Sequence, residues 1–293
     1  MDQSLNNSKN QIQSDAQADQ NSTYSPLHFV GMDEIQTAFF IDQNGQSILV
    51  PAVAEMGVNL QAGHRGIHMS RLYKIMMDLV LKRQLSVNLI ESVLTESLRS
   101  QTDLSTEAFF NLTFEWPRMT ESLKSQLLGF RKYPVQIRSR MRQDQIFIEV
   151  QFQILYSSTC PQSLRLSKEY ALNHQDILKS ENLLPATPHA QRSEMTLNFQ
   201  IKSGSVLNLE KWISMIEEQI KTPVQTAVKK ADEMEFARLN GQNPLFCEDA
   251  VRLAAQAVEG LSEVSGYKIS TIHRESLHPH NAKSQILSNY TVW

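Results

Sequence analysis

The sequence predicts an α+β protein in which antiparallel sheets carry their helices on one face. Predicted strands come in pairs on either side of helical segments, and this order of elements occurs twice along the chain. The paired strands are separated by short turn sequences, which connect antiparallel neighbours. Because an antiparallel sheet of this kind has open edges, we expect several copies of the chain to pair edge to edge as a homo-oligomer.

The composition is that of an ordinary globular protein of 293 residues, with 41% hydrophobic residues and a net charge of -3. This length allows two units with cores of their own. No apolar run approaches about 18 residues and the N-terminus lacks the features of a signal peptide, so no membrane association is expected. No basic tract indicates nucleic-acid binding. Two cysteines do not suggest a disulfide framework, and the predicted compartment is the reducing cytoplasm.

The first unit is predicted to span residues 25–143, after a polar tail at residues 1–24 that we expect to be disordered. Two helices are predicted within it, and Ser86 has the position of an N-cap for the second. Pro117 is expected to end the third strand. The predicted strands are 37–41, 47–58, 107–116 and 130–141, and the predicted helices are 72–82 and 87–98.

The second unit, residues 144–293, repeats this order and carries most of the candidate functional residues. Its last helix is predicted to begin at Asn243 as the N-cap with Pro244 in the first turn. The predicted strands are 146–156, 195–201, 266–273 and 285–292, and the predicted helices are 207–220, 226–239 and 245–261.

Two residues with soft ligand atoms flank one long loop of this unit. Cys160 follows a predicted strand and His189 precedes the next one. A thiolate and an imidazole suit a metal site, although so wide a spacing is not a compact metal motif. An isolated cysteine is otherwise a small apolar residue of the core. The polar neighbours of Cys160 weaken that alternative, whereas Cys247 is interpreted as a core residue.

The acidic candidates have simple structural explanations. Glu233 lies in a charged run that is typical of a solvated helix face. Glu248 lies in a first helical turn, where the helix dipole stabilises a carboxylate by about 0.3–1 kcal/mol. His278 and His280 flank a proline after a strand, and the sequence leaves open whether they form a solvated turn or a ligand and proton-transfer site.

The segment from His64 to Arg71 precedes a helix and contains two arginines, Arg65 and Arg71. A helix N-terminus with arginines suits a phosphate group, and an ordinary charged helix start is the alternative. The sequence has neither a Walker-type loop nor a Gly-x-Gly-x-x-Gly motif, which disfavours P-loop and Rossmann enzymes.

Taken together, six blocks of the sequence resemble the type IB GTP cyclohydrolase family. They occur in the family's order and cover the chain from about residue 30 to its end. The blocks are RGIHMSR at 65–71, STCP at 158–161, HAQRS at 189–193, DE at 232–233, NPLFCED at 243–249 and ESLHPH at 275–280. Relative to this family, the segment 164–187 is interpreted as an insertion.

This resemblance implies a tunnelling fold built from two tandem units and assembled as a homotetramer. It also implies the reaction, in which GTP and water give 7,8-dihydroneopterin triphosphate and formate at the entry to tetrahydrofolate synthesis. The implied cofactor is a divalent metal, and the donor types accept zinc, manganese or ferrous iron.

The resemblance further implies roles for single residues. Cys160, His189 and Glu233 match metal ligands of the family. His278 matches a histidine at the metal that serves as ligand, as proton donor, or as each in turn. Glu248 matches the carboxylate that anchors the purine ring, so Cys160, His278 and Glu248 form the implied catalytic set.

The triphosphate of GTP requires cationic partners. We expect His64, Arg65, Arg71 and Arg192 to supply them, from different subunits. The choice of His278 over its neighbour His280 depends on alignment alone.

The sequence is also compatible with two other functions. A nitrile reductase of the tunnelling-fold group would use Cys160 as a covalent nucleophile with a nicotinamide cofactor, but it has no need for His189, Glu233 and His278. A non-catalytic purine- or pterin-binding module would bind its ligand without releasing formate. Such a module has no physical use for all four of Cys160, His189, Glu248 and His278.

Overall fold

One antiparallel sheet of eight strands organises the fold, with the strands side by side in chain order. The structure is a computed structural model that describes residues 19–43, 45–174 and 186–292. The strands are β1 (Leu27–Gln43), β2 (Gln46–Leu60), β3 (Glu107–Glu121), β4 (Leu128–Arg142), β5 (Gln145–Thr159), β6 (Ala190–Ile201), β7 (Val264–His273) and β8 (Ala282–Ser288). The predicted antiparallel α+β architecture is confirmed.

The helices pack against one face of this sheet. Ser86 caps α2 as predicted, because its hydroxyl accepts a hydrogen bond from the Leu89 N–H at 3.1 Å. The helices are α1 (Met69–Leu79), α2 (Val87–Ser100), α3 (Pro161–Asn173), α4 (Leu209–Ile220), α5 (Lys230–Gln242) and α6 (Cys247–Val258), and a 3₁₀ turn at Val80–Lys82 extends α1. None of the helices in the described ranges is long and apolar enough to cross a membrane.

The core lies between the sheet and the helices. Along β3 and much of β6, buried residues alternate with more exposed ones, as the two-residue period of a strand requires. At the centre, Phe152 of β5 meets Phe199 of β6 edge to face with ring centroids 5.2 Å apart, and Trp212 of α4 stacks on Phe152 at 6.3 Å. The aromatic packing fixes α4 over the middle of the sheet.

The sheet continues without interruption from the first half of the chain into the second. The two halves are joined by the β4–β5 turn, in which Gln143 and Asp144 have φ of 51° and 60°, the conformation of a tight hairpin turn. Of the predicted N-terminal tail, residues 1–18 lie outside the described residues. From residue 19 onwards the chain contacts the turn before α1, where the Asn21 N–H donates to the Gly63 carbonyl at 3.0 Å.

Four local predictions are wrong, and each has a physical reason. Pro117 does not end β3, which runs on to Glu121. Beyond Phe114, β3 pairs with β4 alone, and a strand with one free side tolerates the missing N–H of proline. The last strand lies at Ala282–Ser288 rather than 285–292, because the backbone turns out of β8 at Asn289, whose φ is 48°.

The other two errors concern α5 and α6. Helix α5 begins at Lys230, because the preceding segment runs extended beside β5, where the Ser157 N–H donates to the Thr222 carbonyl at 2.9 Å. Asn243 does not open α6 but closes α5, since its backbone N–H and its side-chain amide both donate to the Leu239 carbonyl. Helix α6 begins only at Cys247.

The alternating strand directions give the sheet two distinct ends. One end, which we call the pocket end, holds the end of β5, the start of β6 and the β7–β8 connection. The opposite end holds the end of β2, the start of β3 and the β4–β5 turn. A residue that follows β5 or β7 is therefore far along the sheet from one that follows β2.

Candidate active site

A pocket of about 450 Å³ opens at the pocket end of the sheet, between α3, the start of α6 and the β7–β8 connection. It collects the predicted residues Cys160, His189, Glu248 and His278. The rest of its lining is Gln162, Ser163, Leu166, Gln191, Leu245, Phe246, Cys247, His273, Glu275, Leu277, His280 and Ala282. Residues that lie more than a hundred positions apart in the chain thus share one cavity.

Cys160 is placed by the first turn of α3. It is the N-cap of that helix, with Pro161 in the first turn, and its sulfur accepts a hydrogen bond from the Ser163 N–H at 3.4 Å. The thiol is half-buried and unpaired. The segment after Cys160 was interpreted as an inserted loop, but its first part is this helix, and residues 175–185 lie outside the described residues.

His189 is tied directly to Cys160 through the backbone. The Cys160 N–H donates to the His189 carbonyl at 3.1 Å, and the His189 N–H donates to the Ser163 hydroxyl at 3.1 Å. Its imidazole Nδ1 lies 3.2 Å from Gln191 Oε1 and 3.8 Å from Glu275 Oε2. The thiol and the imidazole are therefore fixed relative to each other by strand pairing at the start of β6.

Glu248 enters the pocket from the first turn of α6. The Leu245 N–H donates to the Thr159 carbonyl at 3.0 Å, which ties the start of this helix to the end of β5. The Glu248 carboxylate accepts a hydrogen bond from the Cys247 thiol at 3.3 Å. The pKa of Glu248 is held below its usual range by a hydrogen bond from its own backbone N–H, by the hydrogen bond from the thiol and by the nearby charge of Arg252. Burial has the opposite effect but does not outweigh these interactions. The carboxylate is therefore charged at neutral pH.

A buried polar pair forms the floor behind Glu248. His273, which is 2% exposed, lies with its Nε2 2.8 Å from the Tyr156 hydroxyl. Burial lowers the pKa of His273 to about 4, an effect that the charge of Glu248 offsets only in part. Burial also raises the pKa of Tyr156 above its usual range. Both side chains are neutral at pH 7.

The pocket does not distinguish His278 from His280. Both line it, and their rings stack with centroids 5.0 Å apart and planes 10° from parallel. Both side chains are exposed, in contrast to the buried His273.

Glu233 does not line the pocket. It is exposed in the first turn of α5, beside the buried carboxylate of Asp232. Asp232 accepts hydrogen bonds from the backbone N–H groups of Lys124 at 2.7 Å and Ser125 at 2.9 Å, which hold this end of α5 against the β3–β4 turn. Within one chain, the structure therefore brings together three of the four predicted metal ligands in one cavity and leaves Glu233 outside it.

The predicted triphosphate partners also lie elsewhere. His64, Arg65 and Arg71 follow β2 and therefore lie at the end of the sheet opposite the pocket. Arg65 forms an exposed ion pair with Asp19 at 2.6 Å, and Arg71 donates to the Ser100 carbonyl at 2.8 Å. Arg192 is exposed on β6, and the alternation of the strand directs it away from the face that carries Gln191.

The donor types of the pocket fit a divalent metal, although its donors are not assembled around a single point. Among the residues that the structure describes, no three His, Cys, Asp or Glu side chains stand close enough to hold a metal ion. Cys160 and His189 nevertheless offer a thiol and an imidazole on adjoining backbone, and His278 faces the same cavity. Thiolate and imidazole together are suitable ligands for zinc and other transition metals.

Sequence reasoning did not single out several residues that the pocket contains. Gln191, Glu275 and His273 line it, and Tyr156 supports it from the core. The alternation of β6 offered one indication, because it places the polar Gln191 on the same face as the buried Ser193 and Met195. A buried amide at a strand start is a sign of a specific partner.

Comparison with solved structures defines the class of protein. A uricase from Arthrobacter globiformis matches with a TM-score of 0.50 at 8% identity, covering 89% of this chain and 92% of that one. A hyper-thermostable uricase mutant matches with a TM-score of 0.51 at 8% identity, covering 89% and 91%. At this identity the likeness establishes the fold alone, and the chain is a tunnelling-fold protein with a cysteine- and histidine-lined pocket at one end of its sheet.

Comparison of sequences narrows this class to one family. The family model described as type I GTP cyclohydrolase folE2 matches residues 14–284. A GTP cyclohydrolase FolE2 of Hydrogenovibrio crunogenus is 37% identical over 279 residues, covering 90% of each chain. That of Bdellovibrio bacteriovorus is 38% identical over 280 residues, covering 90% of this chain and 91% of the relative. The chain belongs to the type I GTP cyclohydrolase FolE2 family.

Proposed function

We infer that the chain is a GTP cyclohydrolase that converts GTP and water into 7,8-dihydroneopterin triphosphate and formate, the first step of folate biosynthesis. The observation that carries this conclusion is its match to the FolE2 family along nearly the whole chain. The single pocket that holds Cys160, His189, Glu248 and His278 supports it, because these residue types suit the opening of a purine ring. Within that family we propose the type IB subgroup, and we propose the cytoplasm, where free thiols persist.

The proposed metal ligands are Cys160, His189 and His278, with Glu233 as the fourth donor. When bound, a divalent metal would supply a Lewis acid that makes water a usable nucleophile at neutral pH. A set of one thiol, imidazoles and a carboxylate accepts zinc, manganese or iron. Within one chain Glu233 lies outside the pocket. A substitution of Glu233 is therefore the sharpest test of this proposed set of metal ligands.

The remaining chemistry falls to the protein's own side chains. Glu248, charged and fixed in the first turn of α6, accepts hydrogen bonds from the N–H edge of guanine and orients the ring. At the stage when it is not bound to the metal, His278 donates a proton to the ring nitrogen that is released as the bond to C8 opens. The buried and neutral His273 and Tyr156 keep the floor of the pocket free of competing charge.

We propose that the active enzyme is a homotetramer in which one copy completes the site of another. The sheet ends at β1 and β8, and in the described chain neither strand pairs with a further strand, apart from an isolated bridge between Phe40 and Gln84. Its outer face exposes Leu49, Val53 and Phe130 along an apolar groove of about 760 Å³. An exposed apolar face of this kind is typical of an interface between subunits. His64, Arg65 and Arg71 then reach the triphosphate from a neighbouring copy, and Arg192 lies on the same chain as the pocket.

Formate release from GTP tests the proposed function. Chelator-stripped protein is incubated with GTP, with zinc, manganese and ferrous iron restored separately, and Cys160→Ala is assayed in parallel. We expect formate only with metal and none from the variant. GTP binding without formate under any metal would instead indicate a binding module. Failure to bind GTP together with nicotinamide-dependent reduction of a nitrile would indicate a reductase.

A further inference from the structure

The Nδ1 nitrogen of His189 lies near two oxygen atoms of other side chains that line the pocket. Gln191 Oε1 lies 3.2 Å from it, and Glu275 Oε2 lies 3.8 Å from it. Gln191 is buried, with 9% of its surface exposed, and the Glu275 side chain is 14% exposed. This side of the imidazole is therefore largely shielded from water, and these two neighbours determine the hydrogen bond that Nδ1 makes.

The orientation of the Gln191 amide follows from its second partner and from the carboxylate. Its other end lies 2.9 Å from the Ser158 hydroxyl, which lies 2.7 Å from the Ser193 hydroxyl, and both serines are fully buried. A hydroxyl group can donate to an amide oxygen or accept from an amide nitrogen. The two serines are therefore compatible with both orientations of the Gln191 amide. The carboxylate of Glu275 decides between them, because it repels a lone pair on Nδ1 and attracts an N–H there.

A consistent set of donors and acceptors results. Nδ1 of His189 carries the proton and donates to Gln191 Oε1. The Gln191 amide nitrogen donates to Ser158, which in turn donates to Ser193. Every polar atom along this buried line has a partner, which is the arrangement that a low-dielectric interior favours.

We propose that Gln191 is a positioning residue that holds His189 in the Nδ1–H tautomer and leaves its Nε2 lone pair free for a divalent metal. A neutral imidazole binds a metal through its unprotonated nitrogen, and the hydrogen bond at the other nitrogen fixes which one that is. This inference deepens the proposed function and rests on His189 being a metal ligand. The backbone bonds of His189 to Cys160 and Ser163 fix the position of the residue, and Gln191 fixes the tautomer and rotation of its ring.

Three variants separate this role from a general effect on folding. Gln191→Met keeps the shape of the side chain and removes the acceptor, and Gln191→Glu keeps an acceptor towards Nδ1. Gln151→Met is the matched control, because Gln151 is a half-buried glutamine on β5 that does not line the pocket. Glu275→Gln tests whether the carboxylate holds the tautomer by itself. Thermal unfolding of each variant identifies any that fold poorly.

The tautomer is measured in metal-free protein by solid-state ¹⁵N NMR of histidine-labelled samples, with the His189 resonances assigned by their loss in His189→Asn. Zinc affinity is measured separately by competition with a chromophoric chelator. We expect Nδ1–H in the native chain, loss of this tautomer in Gln191→Met, and a zinc dissociation constant about 10–100-fold higher in that variant. Gln191→Glu and the control are expected to keep both native values.

An unchanged tautomer and zinc affinity in Gln191→Met would overturn the proposal. A change in Glu275→Gln with none in Gln191→Met would also overturn it and would assign the role to Glu275. Because the tautomer is measured without metal, its dependence on Gln191 in a chain that binds no zinc would support the positioning role and reject the proposed metal site. Failure of the inference and failure of the proposed function are thus distinguishable.

Discussion

The stacked histidines His278 and His280 both line the pocket, and single substitutions separate their roles. We expect His278→Ala to reduce turnover by about 10²–10⁴-fold, the usual contribution of a positioned proton donor, and His280→Ala to leave turnover near the native value. The two side chains are exposed and in mutual contact, so each variant is the structural control for the other. Steady-state formate release measures both. A large loss in His280→Ala alone would contradict the assignment.

The buried His273 makes a prediction about stability and pH. Its pKa is about 4 in the folded chain, below the unfolded value of about 6.5. Between these two values the unfolded chain binds a proton that the folded chain does not, so stability falls as pH falls from 6.5 to 4. The loss from this group reaches about 3 kcal/mol at the lower limit.

Urea unfolding at fixed protein concentration, at steps from pH 7 to pH 4, measures this dependence. His273→Gln retains a hydrogen-bond acceptor for Tyr156 but does not titrate in this range, so we expect a flatter dependence of its unfolding free energy on pH. Identical pH dependences for the two proteins would show that His273 is not a neutral buried group.

At the scale of elements, sequence patterns predicted the elements themselves better than their ends. The two-residue alternation predicted the strands, and Ser86 fixed the start of α2, because these features depend on neighbours in the sequence. The predictions made from Asn243 and Pro117 are wrong because tertiary contacts determine where the helix and the strand end at these positions. Asn243 closes α5, and the one-sided pairing of β3 tolerates a proline. Such contacts are not encoded in a local pattern.

The candidate site illustrates the same limit. Local chemistry nominated Cys160 and His189 through the long loop that they flank. It gave Glu233 and Glu248 only structural explanations, and their proposed roles came from resemblance to a family. The structure then places Glu248 in the pocket with Cys160 and leaves Glu233 outside it. The buried Gln191 was missed because its importance lies in a side-chain contact with His189 that no spacing reveals.

The junction between the two halves of the chain contains a buried ionic cluster that joins α4 to β3 and β4. Glu217 accepts hydrogen bonds from Arg118 at 3.0 Å, Arg131 at 3.1 Å and the Tyr133 hydroxyl at 2.7 Å. Removing the carboxylate takes from Arg131, whose side chain is only 9% exposed, its ion-pair partner, whereas Arg118 keeps its ion pair with Glu210 at 2.7 Å. We therefore expect Glu217→Ala to lower the free energy of unfolding by about 3–5 kcal/mol.

The exposed neighbour Glu218, on the same helix, provides the control. Glu218→Ala is expected to change the free energy of unfolding by less than about 0.5 kcal/mol, as is usual for surface substitutions. Urea unfolding measures the free energy of unfolding of both variants. Equal effects would mean that the cluster does not hold the two halves together.

At the scale of the whole molecule, we propose that the site is divided between copies of the chain. The pocket lies at one end of the sheet, and Arg71 lies at the other. We expect Cys160→Ala and Arg71→Ala each to be nearly inactive, since one lacks a metal ligand and the other a triphosphate partner. Mixed oligomers contain some sites with both residues intact.

Co-expression with two different affinity tags isolates such mixed oligomers. In a random mixture, about a quarter of the sites combine an intact pocket with an intact neighbouring arginine, so about a quarter of the native activity is expected to return. No recovery from variants that still assemble would place Arg71 and the pocket in separate functions.

The measurement that tests the central claim most directly is a titration of metal into chelator-stripped protein, with bound metal and formate release followed in the same samples. If Cys160 and His189 hold the ion that drives the reaction, activity rises in proportion to bound metal and saturates near one ion per chain. In Cys160→Ser, both metal binding and activity are lost. Full activity in stripped protein, or native metal binding in that variant, would contradict the account.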